Sequence, residues 1–295
     1  MPLTDVSRPH PGKVAWVPAS LMIVAHLGAL LAFVPAFFSW KAVLVAVFLH
    51  WLTGGIGICM TYHRLLTHRS FVCRPKWLEY VLTAIGCCAV EGGAISWVSV
   101  HRRHHAHSDQ EEDLHSPNRG FGWAHMLWWI VPETPLNADE ETTQKWAPDL
   151  LSDPVHVFLD RWNLVFPALL AVTLFAIGGL PWLVWGGFVR TVAVLHSTWL
   201  INSAAHIWGY RSHQTRDRSR NLWWVALLTY GEGWHNNHHA FPTSARHGLR
   251  WWEIDMTHWA IIAMRTVGLA RSVKRPRITR PEPEPVRPEP FPAAT

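Results

Sequence analysis

The fold of this chain is decided by the stretch "GEGWHNNHHAFPTSARHG", residues 231–248, which follows an apolar, tryptophan-rich segment. Three of its histidines, His235, His238 and His239, fall within five positions. One histidine beside an apolar segment would carry little information. The interpretation depends on how many similar clusters the chain contains and on which side of a membrane they lie.

The composition of the whole chain favours a multi-pass membrane protein. Of the 295 residues, 49% are hydrophobic and only 16% are charged, whereas about 25% are charged in typical soluble domains. The twenty tryptophans point the same way, because tryptophan is enriched at membrane–water interfaces. A formal net charge of +5 is typical of basic cytoplasmic loops, so we expect membrane lipids and no nucleic acid among the partners.

Four apolar segments are long enough to cross a bilayer, which takes about 20 residues of helix. They cover residues 15–38, 42–61, 162–179 and 182–204. The short connections "SWK" and "GGLP" predict two tight hairpins. A further segment, residues 77–98, contains Glu79, Glu91 and a Gly-Gly pair, which are poorly tolerated at the bilayer centre. We expect that segment to lie along the membrane surface or to re-enter it.

The basic residues predict the orientation. The two hairpin connections contain one of them, Lys41, whereas residues 64–76 and 211–220 contain four each. By the positive-inside rule, both hairpins enter from the cytoplasm and return to it, which places both termini on that side. The predicted fold is an all-α multi-pass membrane protein, with four transmembrane helices as two hairpins and a cytoplasmic helical cap. The predicted division is a mobile N-terminal tail (1–13), one domain (14–270) and a disordered proline-rich tail (271–295).

Four histidine clusters lie where the predicted spans meet the cytoplasm: "HRLLTH", "HRRHH", "NSAAH" and "HNNHH". Together they contain nine histidines: His63, His68, His101, His104, His105, His206, His235, His238 and His239. In "HRRHH" and "HNNHH" the spacings of three and four residues put the rings on one helical face. His63 and His68 stand about 140° apart on an ideal helix, so they converge only at a helix end or a distortion. Asn202 lies four residues before His206 and shares its face.

This concentration of imidazole predicts a metal centre. Imidazole suits zinc, copper, iron and nickel, and nine rings are more than one four-coordinate zinc can use. Two six-coordinate metals, with positions left for water and O₂, fit the count better. Because the clusters must meet on one side of the membrane, residues 77–98 cannot make a single crossing.

Other site designs are less well supported. A carboxylate di-iron bundle uses paired E-x-x-H motifs. That string occurs at Glu112–His115, in a polar run typical of a loop, and at Glu232–His235, whose histidine already belongs to a cluster. The H-E-x-x-H motif of zinc proteases does not occur in the sequence.

Most histidines outside the clusters are expected to be ordinary core or surface residues. They include His26, His50, His107, His115, His125, His196, His213, His247 and His258. His26 and His50 lie within predicted spans without a nearby polar partner. Of these histidines, His107 and His115 are the best placed to support a metal ligand.

At its histidine clusters the chain resembles the membrane-bound fatty acid desaturases of the Δ9 acyl-CoA and acyl-lipid type. The resemblance covers roughly residues 20–260 and is closest in "GEGWHNNHHAFPTSARHGL". It implies that the nine histidines hold two iron ions (Fe²⁺/Fe³⁺) and that Asn202 reaches one of them through water. It also implies that the domain 14–270 inserts a cis double bond into a saturated acyl chain while O₂ is reduced to water.

Two departures leave the acyl carrier open between CoA and lipid. Relatives that act on acyl-CoA have an Arg-Asp pair before the second cluster, where this chain has Ser99 and Val100. They have an Arg-Lys pair further on, where this chain reads "LWWIVPETP". The chain shows neither a cytochrome b5 domain nor a dinucleotide motif, so a separate carrier is expected to deliver two electrons per turnover. That carrier is ferredoxin, or cytochrome b5 with its reductase.

Residues around the clusters have expected roles as well. Trp97 and Trp199 are placed to line an apolar tunnel for the acyl chain. Glu91, Asp109 and Glu232 are candidates to fix the ligand rings through their second nitrogens. One open alternative is a fatty acyl or lipid hydroxylase on the same di-iron scaffold. A more distant one is a histidine-rich metal transporter, which needs polar residues along its spans.

Overall fold

The computed structural model describes residues 14–131 and 140–276. The predicted N-terminal tail (1–13) and residues 277–295 of the predicted C-terminal tail lie outside the described residues. The α-helices are α1 (Trp16–Leu30), α2 (Trp40–His50), α3 (Lys76–Cys87), α4 (Ala94–His107), α5 (Trp128–Ile130), α6 (Glu140–Trp146), α7 (Pro148–Leu151), α8 (Pro154–Arg161), α9 (Val165–Trp182), α10 (Arg190–Asn202), α11 (Trp223–Leu228), α12 (His235–Ala240) and α13 (Met256–Thr266). Three π-helices lie at Trp51–Thr67, Trp123–Leu127 and Leu183–Val189, and 3₁₀ turns at Leu31–Phe33, Pro35–Phe37, Pro117–Arg119 and Ala204–His206. Two short strands, β1 (Val72–Cys73) and β2 (Ala270–Arg271), form the only sheet in the described ranges.

Within the described residues, three continuous helical stretches are long and apolar enough to cross a membrane: Trp16–Phe33, Trp40–Thr67 and Val165–His206. Large apolar side chains on these stretches point away from the protein, among them Leu27 on α1 and Val172 and Ile177 on α9. A soluble surface rarely carries so much contiguous apolar area, whereas a lipid-facing surface requires it. The predicted class, an all-α membrane protein, is therefore confirmed.

The third stretch bends back on itself at Gly179. This residue adopts φ 63° and ψ −157°, which is not helical and which a side chain would make costly. Pro181 follows, and its ring removes one backbone donor from the helix. A Cβ placed on Gly186 would lie 3.2 Å from Leu174, so the chain before and after the bend packs together. The bend falls within the predicted connection "GGLP".

The segment predicted to avoid a full crossing consists of two helices rather than one. Helix α3 ends at Cys87 and α4 begins at Ala94, and Gly92 in the break has φ 97°. Asp160 fixes the start of α4, because its Oδ1 accepts a hydrogen bond of 2.8 Å from the backbone nitrogen of Ile95. The break thus sets the position of α4, which carries the second histidine cluster.

Two histidines within the apolar stretches have polar partners, so the expectation that they lack them is wrong. His26 Nδ1 donates to the carbonyl oxygen of Met22 at 2.8 Å, and its Nε2 lies 3.0 Å from His196 Nε2. His50 Nδ1 lies 2.7 Å from the Tyr230 hydroxyl. His196 and Tyr230 are more than a hundred residues away in sequence, so a local reading of the spans could not find these contacts.

The end of the described chain returns to the first histidine cluster. Strand β2 pairs antiparallel with β1, with Arg271 opposite Val72. The backbone nitrogen of Lys274 then donates to the carbonyl oxygen of Ser70 at 2.8 Å. The first residues of the segment assigned to the C-terminal tail therefore pack against residues 70–73.

Candidate metal centre

The nine clustered histidines meet in two groups of nitrogen atoms. In each group the nitrogens that could bind a metal all lie within 4.8 Å of one another. The five-histidine pocket consists of His63, His68, His101, His105 and His238. The four-histidine pocket consists of His104, His206, His235 and His239.

The first cluster converges because its helix is distorted. His63 lies in the π-helix Trp51–Thr67, and the nitrogen of His68 at its end donates to the carbonyl oxygen of His63 at 3.1 Å. This i→i+5 bonding brings residues five apart to the same side of the helix. The two ring centroids are 4.8 Å apart. The π-helix is therefore the distortion that the five-residue spacing of His63 and His68 requires.

The second and fourth clusters each divide between the two pockets. His101 and His105 lie four residues apart on α4 and enter the five-histidine pocket, while His104 enters the other. Adjacent residues differ by about 100° around an α-helix, so His104 points away from His105. On α12, His235 and His239 share the four-histidine pocket and His238 faces the other.

The distances between ring nitrogens suit metal coordination. His238 Nε2 lies 3.1 Å from His63 Nε2 and 2.9 Å from His105 Nε2. In the other pocket, His235 Nε2 lies 3.0 Å from the Nε2 atoms of both His206 and His239. Two imidazoles bound at right angles with metal–nitrogen bonds of about 2.1 Å would place their nitrogens about 3.0 Å apart.

Carboxylates hold the opposite nitrogen of four of these rings. The pairs are His63 Nδ1–Glu232 (2.8 Å), His104 Nδ1–Asp113 (2.9 Å), His206 Nδ1–Asp109 (3.1 Å) and His239 Nδ1–Asp217 (2.8 Å). Because a carboxylate only accepts, each Nδ1 carries the hydrogen and each Nε2 presents a lone pair. Two such lone pairs, on His206 and His239, converge to 3.0 Å from His235 Nε2, and this donor set fits bound metal.

The protonation of the rings favours metal binding too. Burial lowers the pKa of His105 and His238 well below the ordinary histidine value, because desolvation disfavours the imidazolium. Burial also lowers the pKa of His239 to about 4, although Asp217 opposes the shift. These rings are therefore neutral near pH 7, as a ligand must be.

A buried ionic network supports the five-histidine pocket. Arg64 is fully buried; its Nε donates to Glu232 at 2.9 Å and its guanidinium contacts Asp255 at 2.9 Å. His247 Nδ1 also lies 2.9 Å from Glu232 Oε2. Burial by itself would raise the pKa of Glu232, but Arg64 and then His247 and His63 hold it well below its usual range. The carboxylate stays charged and keeps its hold on His63.

The expected supporting carboxylates are placed differently from one another. Glu232 and Asp109 contact cluster histidines, whereas the expectation for Glu91 is wrong. Its two oxygens accept from Trp97 Nε1 at 3.0 Å and from the Thr198 hydroxyl at 2.7 Å, because Glu91 lies on the cavity side of α4. Sequence reasoning missed Asp113 and Asp217, which lie in loops whose acidic residues gave no sign of their partners.

Two histidines outside the clusters stand behind the pockets. His247, expected to be ordinary, shares Glu232 with His63, and its ring lies 4.4 Å from that of His238. His115, expected to be a possible support, lies 3.5 Å from Asp113, and its ring centroid is 4.4 Å from that of His104. His107 instead faces Glu112 at 4.0 Å, near the surface.

A cavity of about 560 Å³ reaches the five-histidine pocket at His101 and is lined by both predicted tryptophans. Trp97 stacks on His101 with ring centroids 5.0 Å apart. Trp199 and Leu195 form part of the wall from α10, and Asn202 lines the same cavity, outside both histidine groups. The volume lies in the range of small-molecule sites, about 300–1,000 Å³, and the walls are mostly apolar.

Comparison with known proteins agrees with this arrangement. The sequence profile described as "Fatty acid desaturase" matches residues 38–270. The chain is 49% identical over 267 residues to an sn-2 palmitoyl-lipid 9-desaturase of Nostoc sp. (strain 36), covering 90% of this chain and 92% of that protein.

The chain belongs to the fatty acid desaturase family. It is also 48% identical to an sn-1 stearoyl-lipid 9-desaturase of Anabaena variabilis, covering 89% of this chain and 94% of that protein. A chloroplastic palmitoyl-monogalactosyldiacylglycerol delta-7 desaturase of Arabidopsis thaliana is 46% identical, covering 93% and 75%. This desaturase-family protein is thus an oxidoreductase, and its histidine groups fit a di-iron site. In the described residues they gather at one place, which does not suit the transporter alternative.

Proposed function

We propose that the protein is an O₂-dependent acyl-lipid desaturase that introduces a cis double bond at Δ9 of a saturated chain. The observation that carries this proposal is the pair of histidine pockets beside one apolar cavity. The names of the cyanobacterial relatives support the position of the double bond and the lipid carrier.

The proposed cofactor is a pair of iron ions, one in each pocket, held by the nine histidines. Asn202 is proposed to reach the iron of the four-histidine pocket through water. Bound iron would activate O₂ and so supply the oxidising power toward the acyl chain that no side chain provides. The protein's own part is to aim neutral Nε2 lone pairs at the metals, and Glu232, Asp109, Asp113 and Asp217 do this by fixing the Nδ1 hydrogens.

The cavity is proposed to hold the acyl chain with its reacting carbons beside the metals. Trp97 and Trp199 form apolar walls that exclude water from the oxidising site. Glu91 fixes the indole of Trp97 through its Nε1, and Trp97 in turn packs on His101. The cavity wall is thereby tied to a metal ligand, which fixes where the chain lies relative to the iron.

A lipid carrier fits the positions where acyl-CoA relatives have charged residues. Ser99 is fully buried and Val100 lines the cavity. Neither side chain offers a charge to the phosphates of CoA. An acyl chain esterified to a membrane lipid needs no such contact, since its head group stays in the bilayer surface.

The proposed topology is four crossings arranged as two hairpins, with a cytoplasmic cap that holds the metals. The bend at Gly179 supports the division of the longest apolar stretch into two crossings. The arginines of residues 211–220 support a cytoplasmic position for the cap. Both termini are then cytoplasmic, and a separate carrier, ferredoxin or cytochrome b5 with its reductase, supplies the electrons.

The test is expression in a host without its own desaturase, followed by mass spectrometry of intact lipids and mapping of double bonds. We expect Δ9 monounsaturated chains on glycerolipids, with two hydrogens lost per chain. A product that has gained one oxygen would instead indicate the hydroxylase alternative. The matched control is His238→Ala, and an unchanged lipid profile with folded, iron-loaded protein would contradict the proposal.

A further inference from the structure

One exposed loop is linked to two ligands of the four-histidine pocket. Asp217 accepts from His239 Nδ1 at 2.8 Å, and its neighbours Arg216 and Arg218 are exposed. The backbone nitrogen of Arg218 donates at 2.6 Å to Asp109, which contacts His206 Nδ1 at 3.1 Å. Each of these two ligands is thus separated from the protein surface by a single carboxylate.

In the five-histidine pocket the rings of His68, His101 and His105 are themselves partly exposed, but no carboxylate links one of its ligands to an exposed loop in the described residues. Its carboxylate, Glu232, is almost fully buried and is held by Arg64, which is buried as well. Electron transfer weakens steeply with distance and follows bonds and hydrogen bonds better than gaps. The short connection to the surface therefore favours entry of electrons at the four-histidine pocket.

The charge around this loop selects the partner. Arg216 and Arg218 are exposed, and Arg211 and Arg220 lie in the same loop. The acids Asp109 and Asp217 are occupied by histidines, so the surface field is set mainly by the arginines. Glu111 and Glu112 on the neighbouring loop are exposed, and their negative charges would repel an acidic partner.

We propose that Arg216–Arg218 and its surroundings form the docking surface for a small acidic one-electron carrier protein, whose electrons enter through the four-histidine pocket. This rests on the proposed desaturase function. Each double bond takes two electrons, one from each of two carrier molecules: R–CH₂–CH₂–R′ + O₂ + 2 e⁻ + 2 H⁺ → R–CH=CH–R′ + 2 H₂O. Each carrier molecule is oxidised by one electron. The acyl chain gives up the other two electrons together with two protons, and O₂ is reduced to two molecules of water.

The test uses the iron-loaded protein in lipid nanodiscs with a reduced plant-type [2Fe–2S] ferredoxin. The double variant Arg216→Glu/Arg218→Glu is compared with Arg265→Glu/Arg271→Glu. The control carries the same charge change on exposed arginines of α13 and β2, which hold no cluster histidine. At low salt we expect the first variant to lower the rate of ferredoxin oxidation and the ferredoxin affinity by at least about tenfold, and the control to change neither. Added salt should remove most of the difference.

The opposite change gives an independent measurement. Glu111→Gln/Glu112→Gln should raise the ferredoxin affinity, because it removes two repelling charges. If the arginine variant fails to load iron, as reported by reduction with dithionite, this glutamine variant decides. The proposal is overturned if Glu111→Gln/Glu112→Gln leaves the ferredoxin affinity unchanged. It is also overturned if the control Arg265→Glu/Arg271→Glu loses as much affinity as the Arg216→Glu/Arg218→Glu variant.

Other outcomes are also informative. If charge reversal changes only binding to anionic lipid vesicles, the loop contacts lipid and the proposal is wrong. If the wild-type protein oxidises ferredoxin in a salt-dependent way but forms no double bond, the desaturase function fails while the docking surface stands.

Discussion

Both pockets are formed by histidine nitrogens, but they differ in the carboxylates that contact those histidines. The five-histidine pocket is backed by the buried network of Glu232, Arg64 and Asp255. The four-histidine pocket is backed by Asp109, Asp113 and Asp217, which belong to the loops 108–116 and 211–220. The carboxylates behind the five-histidine pocket lie in the protein core, whereas two of the three behind the four-histidine pocket, Asp109 and Asp217, are partly exposed in loops.

This difference separates two tasks within one centre. Buried charges that are fully paired hold a site rigidly, but they fail together when one partner is removed. Carboxylates in surface loops orient ligands equally well and allow contact with a partner protein. The five-histidine pocket, stacked against Trp97, is the one tied to the cavity wall. The four-histidine pocket is the one whose supporting carboxylates reach the proposed docking surface.

The largest effect is expected from removing one ligand from each pocket. His238→Ala leaves four nitrogen donors in its pocket, and His239→Ala leaves three in the other. We expect both variants to lose desaturation completely and the iron content to fall from two per chain toward one. Because fewer donors remain in its pocket, the iron content of His239→Ala should fall further than that of His238→Ala. Metal analysis of the purified proteins measures this difference. Equal loss of both irons from both variants would show that the pockets are not independent.

A somewhat smaller effect is expected from the supporting carboxylates. Glu232→Gln leaves Arg64 without one of its buried partners, so we expect a loss of about 3 kcal/mol in unfolding free energy. Iron affinity should fall by about 100-fold as well. Asp217→Asn leaves no buried arginine unpaired and should lower iron affinity by about tenfold, with little change in Tm. Thermal unfolding and iron dissociation rates of the two variants test this, and an equal loss of Tm would contradict the comparison.

The meeting of the clusters could be anticipated from sequence, but their division could not. Spacings of three, four and five residues, together with the placement of basic residues, were enough to predict a common site for His63, His104 and the others. Which ring enters which pocket depends on the axial rotation of α4 and α12. That rotation is set by packing between elements far apart in the chain. Their role as metal ligands stays a prediction.

The supporting residues were harder to foresee for the same physical reason. Asp113 and Asp217 lie in polar loops where an acid ordinarily faces solvent, and His247 follows the fourth cluster with no helical spacing to it. Arg64 reads as a basic residue at a membrane boundary, yet it is buried between Glu232 and Asp255. Long-range pairing decides each case. Apolar length, by contrast, is local, and it predicted the membrane class.

A modest, pH-dependent effect is expected at Glu91, where the cavity adjoins the five-histidine pocket. Burial raises the pKa of Glu91 to about 7, partly opposed by hydrogen bonds from Thr198 and Trp97. Below pH 7 the carboxyl is neutral, and above it a charge forms in an apolar cavity. KM for the acyl substrate should therefore rise several-fold between pH 6 and pH 8.5, and Glu91→Gln should flatten that rise. A pH profile unchanged by the variant would show that this carboxyl does not titrate during binding.

The smallest effect concerns the two histidines that stand behind the pockets, and it depends on a difference in distance. His247 Nδ1 lies 2.9 Å from Glu232, whereas His115 Nδ1 lies 3.5 Å from Asp113. Only the first distance lies within the range of close N–O contacts, about 2.7–3.2 Å. His247→Gln should therefore speed iron release by a few-fold, and His115→Gln should change it less. Iron release is followed with a chromogenic chelator at pH 7, and Tm serves as the control for folding. If His115→Gln released iron faster than His247→Gln, close contact with a supporting carboxylate would not be what stabilises the ligands. The comparison between the carboxylates behind the two pockets would then lose its basis.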